Sequence, residues 1–413
     1  MKIVVLGGGF AGVRAALECS RRLQYKAHVV LIDRNSYHLF APALYEVAAA
    51  YGVKKDPYAT YLRKTITIPF KEIFEDQEVE FIQSDISQIS LREKVITTGG
   101  GEEIPFDHLV IGLGSQASSF GIPGVTEYAY QFKTLEDGLM IQSKLEVMFD
   151  EIEKGNRHIP LKIFVIGGGF TGIELAAELS TMIRNFSSKM KFDRKSYQIT
   201  LFEAGPKIAS MVSDQERKVV IQRLTSLGVI VMENSKIEEV GDQHVKLSDG
   251  RVLHSDMVIW TAGVRPSSLL EEIEGLPLNQ KGKILTDQYL RVKGFPEIFA
   301  AGDCAECIDA LNQKPAPARA FEAINQAKCV AKNIQAHLEG KSLVPYSMKS
   351  ERWVMTVGGK YALAHVGTAS FFKGGLAWLL REAIDLRYLL SILATPKALS
   401  LFRSELVVFT KND

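Results

Sequence analysis

Residues Lys162–Leu179, KIFVIGGGFTGIELAAEL, closely restate the opening of the chain at Lys2–Cys19, KIVVLGGGFAGVRAALEC. Each copy begins with a short apolar run, KIFVI or KIVVL, of the kind that forms a strand buried on both faces. Each run enters Gly-x-Gly-x-x-Gly: Gly167, Gly169 and Gly172 in one, Gly7, Gly9 and Gly12 in the other. A small-residue helix pattern follows. The first glycine permits the tight turn, the second lets a pyrophosphate approach the backbone, and the third lets the helix pack on the strand. The helix start then offers unpaired N–H groups and a partial positive charge to an anion. A carboxylate closes the next strand in both copies: Asp33 ends VVLID and Glu203 ends ITLFE, each placed to bind a ribose. Two complete copies indicate two bound dinucleotides. No arginine follows Glu203 (Ala204, Gly205 and Pro206 do), and a carboxylate repels a 2′-phosphate, so the second site favours NADH over NADPH.

The bulk properties fit that reading. A chain of 413 residues exceeds one ordinary core and predicts two or three domains. With 49 Lys+Arg against 48 Asp+Glu, no global charge attracts nucleic acid. Four cysteines, Cys19, Cys304, Cys307 and Cys329, do not form a secreted disulfide framework, which suggests a reducing compartment. Lys2 followed by an apolar run superficially suggests a leader. The glycines and Arg14 fall inside that run, so a strand and turn explain it better and no cleaved leader is expected. The eight histidines show no ligand spacing, and no metal is expected.

LVIGLGS (Leu109–Ser115) and VIWTAGVRP (Val258–Pro266) occupy matching places in the two halves, and IFAAGD ends at Gly302-Asp303. These features resemble the two-dinucleotide-binding flavoproteins, in which an FAD domain is interrupted by an NAD(P)H domain. The resemblance covers about residues 1–335. It implies an α/β fold of two Rossmann-like domains plus a C-terminal helical, membrane-docking segment. The expected divisions are 1–110 with 276–345 for FAD, 111–160 as a connection, 161–275 for NADH, and 346–413 as the C-terminal region.

Within that superfamily particular residues discriminate among the acceptor chemistries. Disulfide reductases carry a CxxxxC pair beyond the first acid, and Arg34–Gly52 contains no cysteine. Sulfide:quinone oxidoreductases need cysteines through both halves, and none lies between Cys19 and Cys304. Cys304-Ala-Glu-Cys307 is a CxxC; a buried structural role fits it better than a redox pair. The pattern Tyr37, His38, Phe40, Pro42, Leu44, Tyr45, Glu46 and Ala48, with GGGFTGIELAAEL, WTAGV (260–264) and FAAGDCA (299–305), resembles the type II NADH:quinone oxidoreductases. One departure stands out. The family's AQ-x-A-x-Q motif appears here as Ala320, Phe321, Glu322, Ala323, Ile324, Asn325, with both glutamines replaced. The acceptor site is therefore altered: it takes a different quinone or pose, or the acceptor is not a quinone.

The resemblance implies roles as follows. FAD rests on Gly7, Gly9, Phe10, Ala11, Gly12, Asp33, Arg34, Pro42, Gly114, Gly302, Asp303 and Ala320. NADH rests on Gly167, Gly169, Phe170, Thr171, Gly172, Glu203 and Gly263. Tyr45, Glu46, Phe321 and Asn325 face the quinone. Glu174 steers the nicotinamide or assists proton transfer, and Lys373 stabilises an anionic flavin or quinol. The activity implied is NADH oxidation through FAD to a membrane quinone without proton pumping, by a peripheral protein on the cytoplasmic face. The alternatives are a soluble NADH-dependent reductase of a small redox protein and a non-catalytic redox sensor.

The tail bears on that choice. Leu376–Ala394 approaches the length of a ~30 Å bilayer core. It carries Arg381, Glu382, Asp385 and Arg387, however. At roughly 2.5–3.5 kcal/mol per central charge these outweigh the few kcal/mol returned by its leucines, so it should not span. Arg381, Glu382 and Asp385 share one helical sector, into which Leu389 and Ile392 intrude, and KALSLFR follows Pro396. Six Lys/Arg against three Asp/Glu in residues 371–411 suit an anionic membrane surface; the rival use is a helix pair covering a homodimer interface.

Overall fold

The computed structural model describes residues 1–50, 63–157, 159–190, 196–348, 352–367 and 370–409, with side chains described outside 186–190 and 407–409. Two five-stranded parallel sheets dominate it. In the first, Lys2–Leu6 lies between His28–Asp33 and His108–Ile111, with Val4 opposite both Val30 and Leu109. Val79–Gln83 extends the sheet beyond His28–Asp33. In the second, Leu161–Ile166 lies between Tyr197–Phe202 and Met257–Trp260, with Val165 opposite Leu201 and Ile259. Ile230–Met232 extends that sheet. The glycine-turn strand is central in each, and Val4, Val5, Leu6, Ile163 and Val165 are fully buried. That is why both strands are apolar along their length and not alternating.

Each sheet takes its remaining edge strand from outside its own half. Ile298–Ala300 pairs with His108–Ile111 in the first sheet. Tyr130–Gln131, within the stretch read as a connection, pairs with Met257–Trp260 in the second. Ser115–Ala117 also pairs antiparallel with Val264–Pro266 across the halves. Each half carries a three-stranded antiparallel meander as well, at 86–105 and 237–254.

Beyond the second half, Trp353–Thr356, Ala362–Val366 and Ser370–Gly374 form an antiparallel sheet leading into helices Gly375–Ile392 and Thr395–Phe409. The first of these helices is inverted relative to an ordinary surface helix. Arg381, Asp385, Tyr388, Leu389 and Ile392 are buried, whereas Leu376 and Leu379 are 73% and 55% exposed. The charged sector of the sequence therefore faces the protein, which accounts for Leu389 and Ile392 within it. Arg381 Nε pairs with Asp385 Oδ2 at 2.7 Å, and Arg381 Nη2 donates to the Pro42 carbonyl at 3.0 Å. No helix among the described residues is long and apolar enough to cross a membrane.

This helix is fastened to the first glycine turn. His38 Nδ1 lies 2.9 Å from the Gly8 carbonyl, which can only accept, so Nδ1 carries the proton. Nε2 then accepts from the Tyr388 hydroxyl at 2.8 Å. Burial lowers the His38 pKa to about 4, keeping the ring neutral. Phe10 packs on both rings, with centroids 4.8 Å from His38 and 5.0 Å from Tyr388, and Arg14 bonds the Ser391 hydroxyl. Tyr388→Phe leaves the buried Nε2 unsatisfied and is expected to cost about 1–2 kcal/mol, read as a Tm lowered by a few degrees.

Candidate functional site

The C-terminal ends of adjacent parallel strands bring the first turn, Asp33, Gly114 and Gly302-Asp303 to one edge of the first sheet. Gly7 and Gly167 take left-handed φ values of +92° and +120°. A side chain on Gly12 would stand 1.7 Å from the Gly7 carbonyl oxygen, and one on Gly172 would stand 1.9 Å from that of Gly167. Around Gly9 and Gly169, by contrast, no atom lies within 4 Å of a side-chain position. The first and third glycines are thus demanded by the chain itself. The second faces open space, as a site for a pyrophosphate requires. Gly9 also caps helix Phe10–Leu23 without any side-chain bond, leaving N–H groups at Phe10 and Ala11 for an anion.

Each strand-end acid braces its own turn. Asp33 accepts from Gly8 N at 2.6 Å and Asn35 N at 2.7 Å. Glu203 accepts from Gly168 N at 2.9 Å and Gly205 N at 2.6 Å. Burial holds the Asp33 carboxyl above its usual range, against the pull of those N–H groups. Gly302, at φ +82°, donates its N–H to Gln326 Oε1 at 2.7 Å. Asp303 Oδ2 accepts from Ser115 Oγ at 2.7 Å with Lys133 Nζ 3.9 Å away. Gly114 (φ +65°) has an open side-chain position, while that of Gly263 is covered by the Phe120 ring at 2.2 Å. Arg34 is exposed beside Asp33, Thr171 is exposed at its helix start, and Phe170 stacks edge-on against Trp353 at 5.2 Å. Ala320 opens helix Ala320–Leu338.

Phe321 is 44% exposed on the first turn of that helix. Asn325, one turn later, is buried, and its Nδ2 has no hydrogen-bond partner. A buried orphan donor there fits a carbonyl-bearing ligand.

A second cluster surrounds Glu174. Both the N–H and the hydroxyl of Thr356 reach Glu174 Oε1 at 3.2 Å. Tyr45, Glu46, Glu178, Thr356, Arg381 and Glu405 are among the residues lining a partly open cleft with about 480 Å³ of non-atom space. Burial raises the Glu174 pKa to about 7, against the opposing pull of Arg381 and Thr356. Burial and neighbouring carboxylates also lift Glu46 and Glu405 well above the carboxylate range. Burial alone would lower Arg381, but Asp385, Tyr45 and Glu174 hold it firmly charged. Tyr45 and Glu46 line this cleft; Glu174 does not line it but lies within electrostatic reach of Tyr45 and Arg381. Lys373 is not among the residues lining the cleft; it is exposed on strand Ser370–Gly374, opposite Leu363, and among the described residues the cation lining the cleft is Arg381. Phe321 and Asn325 do not line this cleft either. Glu178 was detectable in the sequence as the residue one helical turn after Glu174; Thr356 and Glu405 had no local signal.

Cys304 and Cys307 are buried free thiols. Cys304 Sγ lies 3.4 Å from the Ile111 and Ala301 carbonyls, and burial raises its pKa to about 11.

Two glycine turns, two strand-end acids and exchanged edge strands define a two-dinucleotide oxidoreductase fold. The pyridine nucleotide-disulphide oxidoreductase family matches residues 1–327. A Staphylococcus saprophyticus type II NADH:quinone oxidoreductase is 30% identical over 94% of both chains. One from Staphylococcus haemolyticus is 30% identical over 95% of this chain and 96% of its own. Among solved structures, NDH2 from Plasmodium falciparum in complex with NADH aligns with a TM-score of 0.85 at 19% identity, covering 99% of this chain and 97% of that one. The chain belongs to the pyridine nucleotide-disulphide oxidoreductases and, within them, to the type II NADH:quinone oxidoreductase family.

Two tests follow from this geometry. Gly9→Ala should leave the melting of the FAD-free protein within about 0.5 kcal/mol of wild type while weakening FAD at least tenfold; Gly12→Ala should cost roughly 3 kcal/mol even without FAD. Because the folded pKa of Glu174 lies above its unfolded value, its contribution is intact below about pH 4.5 and is lost as pH rises through about 7. Glu174→Gln should therefore gain roughly 1–3 kcal/mol on wild type at pH 8 and little at pH 4, read from Tm against pH.

Proposed function

We propose that the chain oxidises NADH and passes the electrons through FAD to a membrane quinone. The observation that carries this is near full-length similarity to type II NADH:quinone oxidoreductases, in a chain with two complete dinucleotide turns. FAD, when bound, supplies the two-electron chemistry that links a hydride donor to a quinone. The division into residues 1–110 with 276–345 for FAD, 161–275 for NADH and 346–413 for docking follows that reading.

The chain's own residues do the rest. Gly7, Gly9, Gly12 and the helix start at Phe10 and Ala11 hold the FAD pyrophosphate, with Asp33, Arg34, Pro42, Gly114, Gly302, Asp303 and Ala320 around it. Gly167, Gly169, Phe170, Thr171, Gly172 and Gly263 hold NADH. Glu203 already accepts two backbone N–H bonds, and its carboxylate retains lone pairs for a ribose 2′-hydroxyl. Glu174, poised near neutrality, holds and releases a proton close to the reacting groups. Phe321 offers a ring to stack on a quinone, and Asn325 Nδ2 offers the unspent donor to its carbonyl. Lys373, exposed beside the C-terminal helices, supplies positive charge near the lipid.

The outward Leu376, Leu379, Ile384, Leu390 and Leu399 support docking on a lipid surface, since water would otherwise meet an apolar face. Four free cysteines suit the reducing, cytoplasmic side of that membrane.

The activity test is anaerobic. NADH should bleach the bound FAD, and a solubilised menaquinone or ubiquinone analogue should restore it rapidly. Bleaching that no quinone reverses would replace this reading with a soluble NADH-dependent reductase. For docking, Leu376→Glu/Leu379→Glu should abolish flotation with anionic vesicles while leaving Tm nearly unchanged, because both side chains are solvent-exposed. A wild type that fails to float, and whose dimer the same pair dissociates, would make the face a homodimer interface.

A further inference from the structure

In the second sheet the chain runs outward from Leu161–Ile166 through Tyr197–Phe202 to Ile230–Met232, then returns to Met257–Trp260 on the other side. A sheet of this kind takes its dinucleotide in the crevice where the order reverses, at the C-terminal ends of Leu161–Ile166 and Met257–Trp260. With the pyrophosphate at Gly167–Gly172 and the adenosine ribose at Glu203 on one side, the nicotinamide half extends to the other, over Thr261–Gly263. Phe120 lies there. We propose that the Phe120 ring clamps the nicotinamide-ribose half of NADH, stacking on it and setting its place in the crevice. The proposal rests on the reading of the second turn as the NADH site and deepens it.

The segment Thr261–Gly263 abuts the glycine turn directly. A side chain on Gly167 would meet the Ala262 backbone at 2.7 Å, and Thr261 Oγ1 donates to the Ile166 carbonyl at 2.9 Å. A side chain on Gly263 would run into the Phe120 ring, so the ring lies on the backbone that walls the crevice.

The run that carries Phe120 is already fastened without it. Ser115–Ala117 pairs with Val264–Pro266, Ser118 N donates to the Gly263 carbonyl at 3.1 Å, and Trp260 Nε1 donates to the Ser118 carbonyl at 2.8 Å. At its other end Ser115 Oγ donates to Asp303 at 2.7 Å, so one short run spans both dinucleotide sites. A ring that merely joined the two halves would be buried between them. Phe120 is instead 64% exposed, beside an exposed Val264. Its φ of +51° lies in the left-handed region, which a bulky residue seldom adopts, although Gly121 follows at once. Backbone strain held in place by surrounding bonds gathers at ligand clamps. An aromatic face at this rim suits nicotinamide, a planar ring that stacks on it and that carries positive charge when oxidised. The adenosine half, on the far side of the glycine turn, stays beyond its reach.

The test uses the FAD-loaded, full-length protein and needs no turnover, because NAD⁺ does not react with the oxidised flavin. ADP serves as the adenosine half alone. In calorimetry, Phe120→Ala should weaken NAD⁺ about tenfold and ADP by less than about twofold, with Tm nearly unchanged. Phe120→Gly, which a positive φ suits, should do the same. Phe120→Tyr should restore the affinity for NAD⁺. In anaerobic stopped flow, the NADH concentration that half-saturates flavin bleaching should rise in Phe120→Ala by the factor seen for NAD⁺. Unchanged NAD⁺ affinity, equal weakening of NAD⁺ and ADP, or failure of Phe120→Tyr to restore binding overturns the proposal. A wild type that binds neither NAD⁺ nor ADP overturns instead the NADH reading beneath it.

Discussion

At the start of each half, the carbonyl oxygen of one glycine occupies the place where another glycine's side chain would stand. The approach of Gly12 to Gly7, repeated by Gly172 to Gly167, lets a buried strand reverse directly into a helix. Once that reversal is made, the helix start lies at the sheet's C-terminal edge, and the strand-end acid next door can reach the turn's N–H groups. Steric exclusion at these two points sets the site's position, its polarity and its opening beside Gly9 and Gly169. The rest of each sheet supports that corner.

The first corner is also where the C-terminal helix is attached. The run from Gly8 through His38 to Tyr388 makes a turn near residue 8 and a helix near residue 388 into one unit. A neutral imidazole can do this because it donates from one nitrogen and accepts at the other. The same helix turns its ion pair inward and Leu376, Leu379 and Leu390 outward. Apolar burial cannot explain the outward face, and on the inward face hydrogen bonds and charge join the buried Leu389 and Ile392, which makes its orientation specific.

The glycine turns, their strands and their acids were legible because every part lies within about 40 residues of chain and each residue type has a local steric reason. The helical period of the tail was legible too. Periodicity says which residues share a face and not which way that face points, so the inward turn of Arg381 and Asp385 was not. His38 and Tyr388 are separated by 350 positions, and Arg381 and Pro42 by 339. Pairings of that kind leave no spacing to read. Lys373 looked suited to the reacting centre by its position before the helices, yet the cation that tertiary packing brings to Glu174 is Arg381. Nothing in the local sequence marked Glu405 for burial, yet the fold buries it.

The exchanged edge strands have a bearing on biosynthesis. His108–Ile111 lacks its outer neighbour until Ile298–Ala300 has been made, and the whole second half intervenes. At about 5–20 residues per second, a ribosome takes on the order of ten seconds or more to cover that stretch. Throughout it, the first sheet presents a strand of sequence HLVI, apolar after His108, with unpaired backbone groups on one side, a geometry prone to pairing with another nascent chain. The second sheet has no such delay, because Tyr130–Gln131 is already synthesised when Met257–Trp260 emerges. The later half of the gene product is therefore able to complete its sheet before the earlier one, and chaperone demand falls on the N-terminal half.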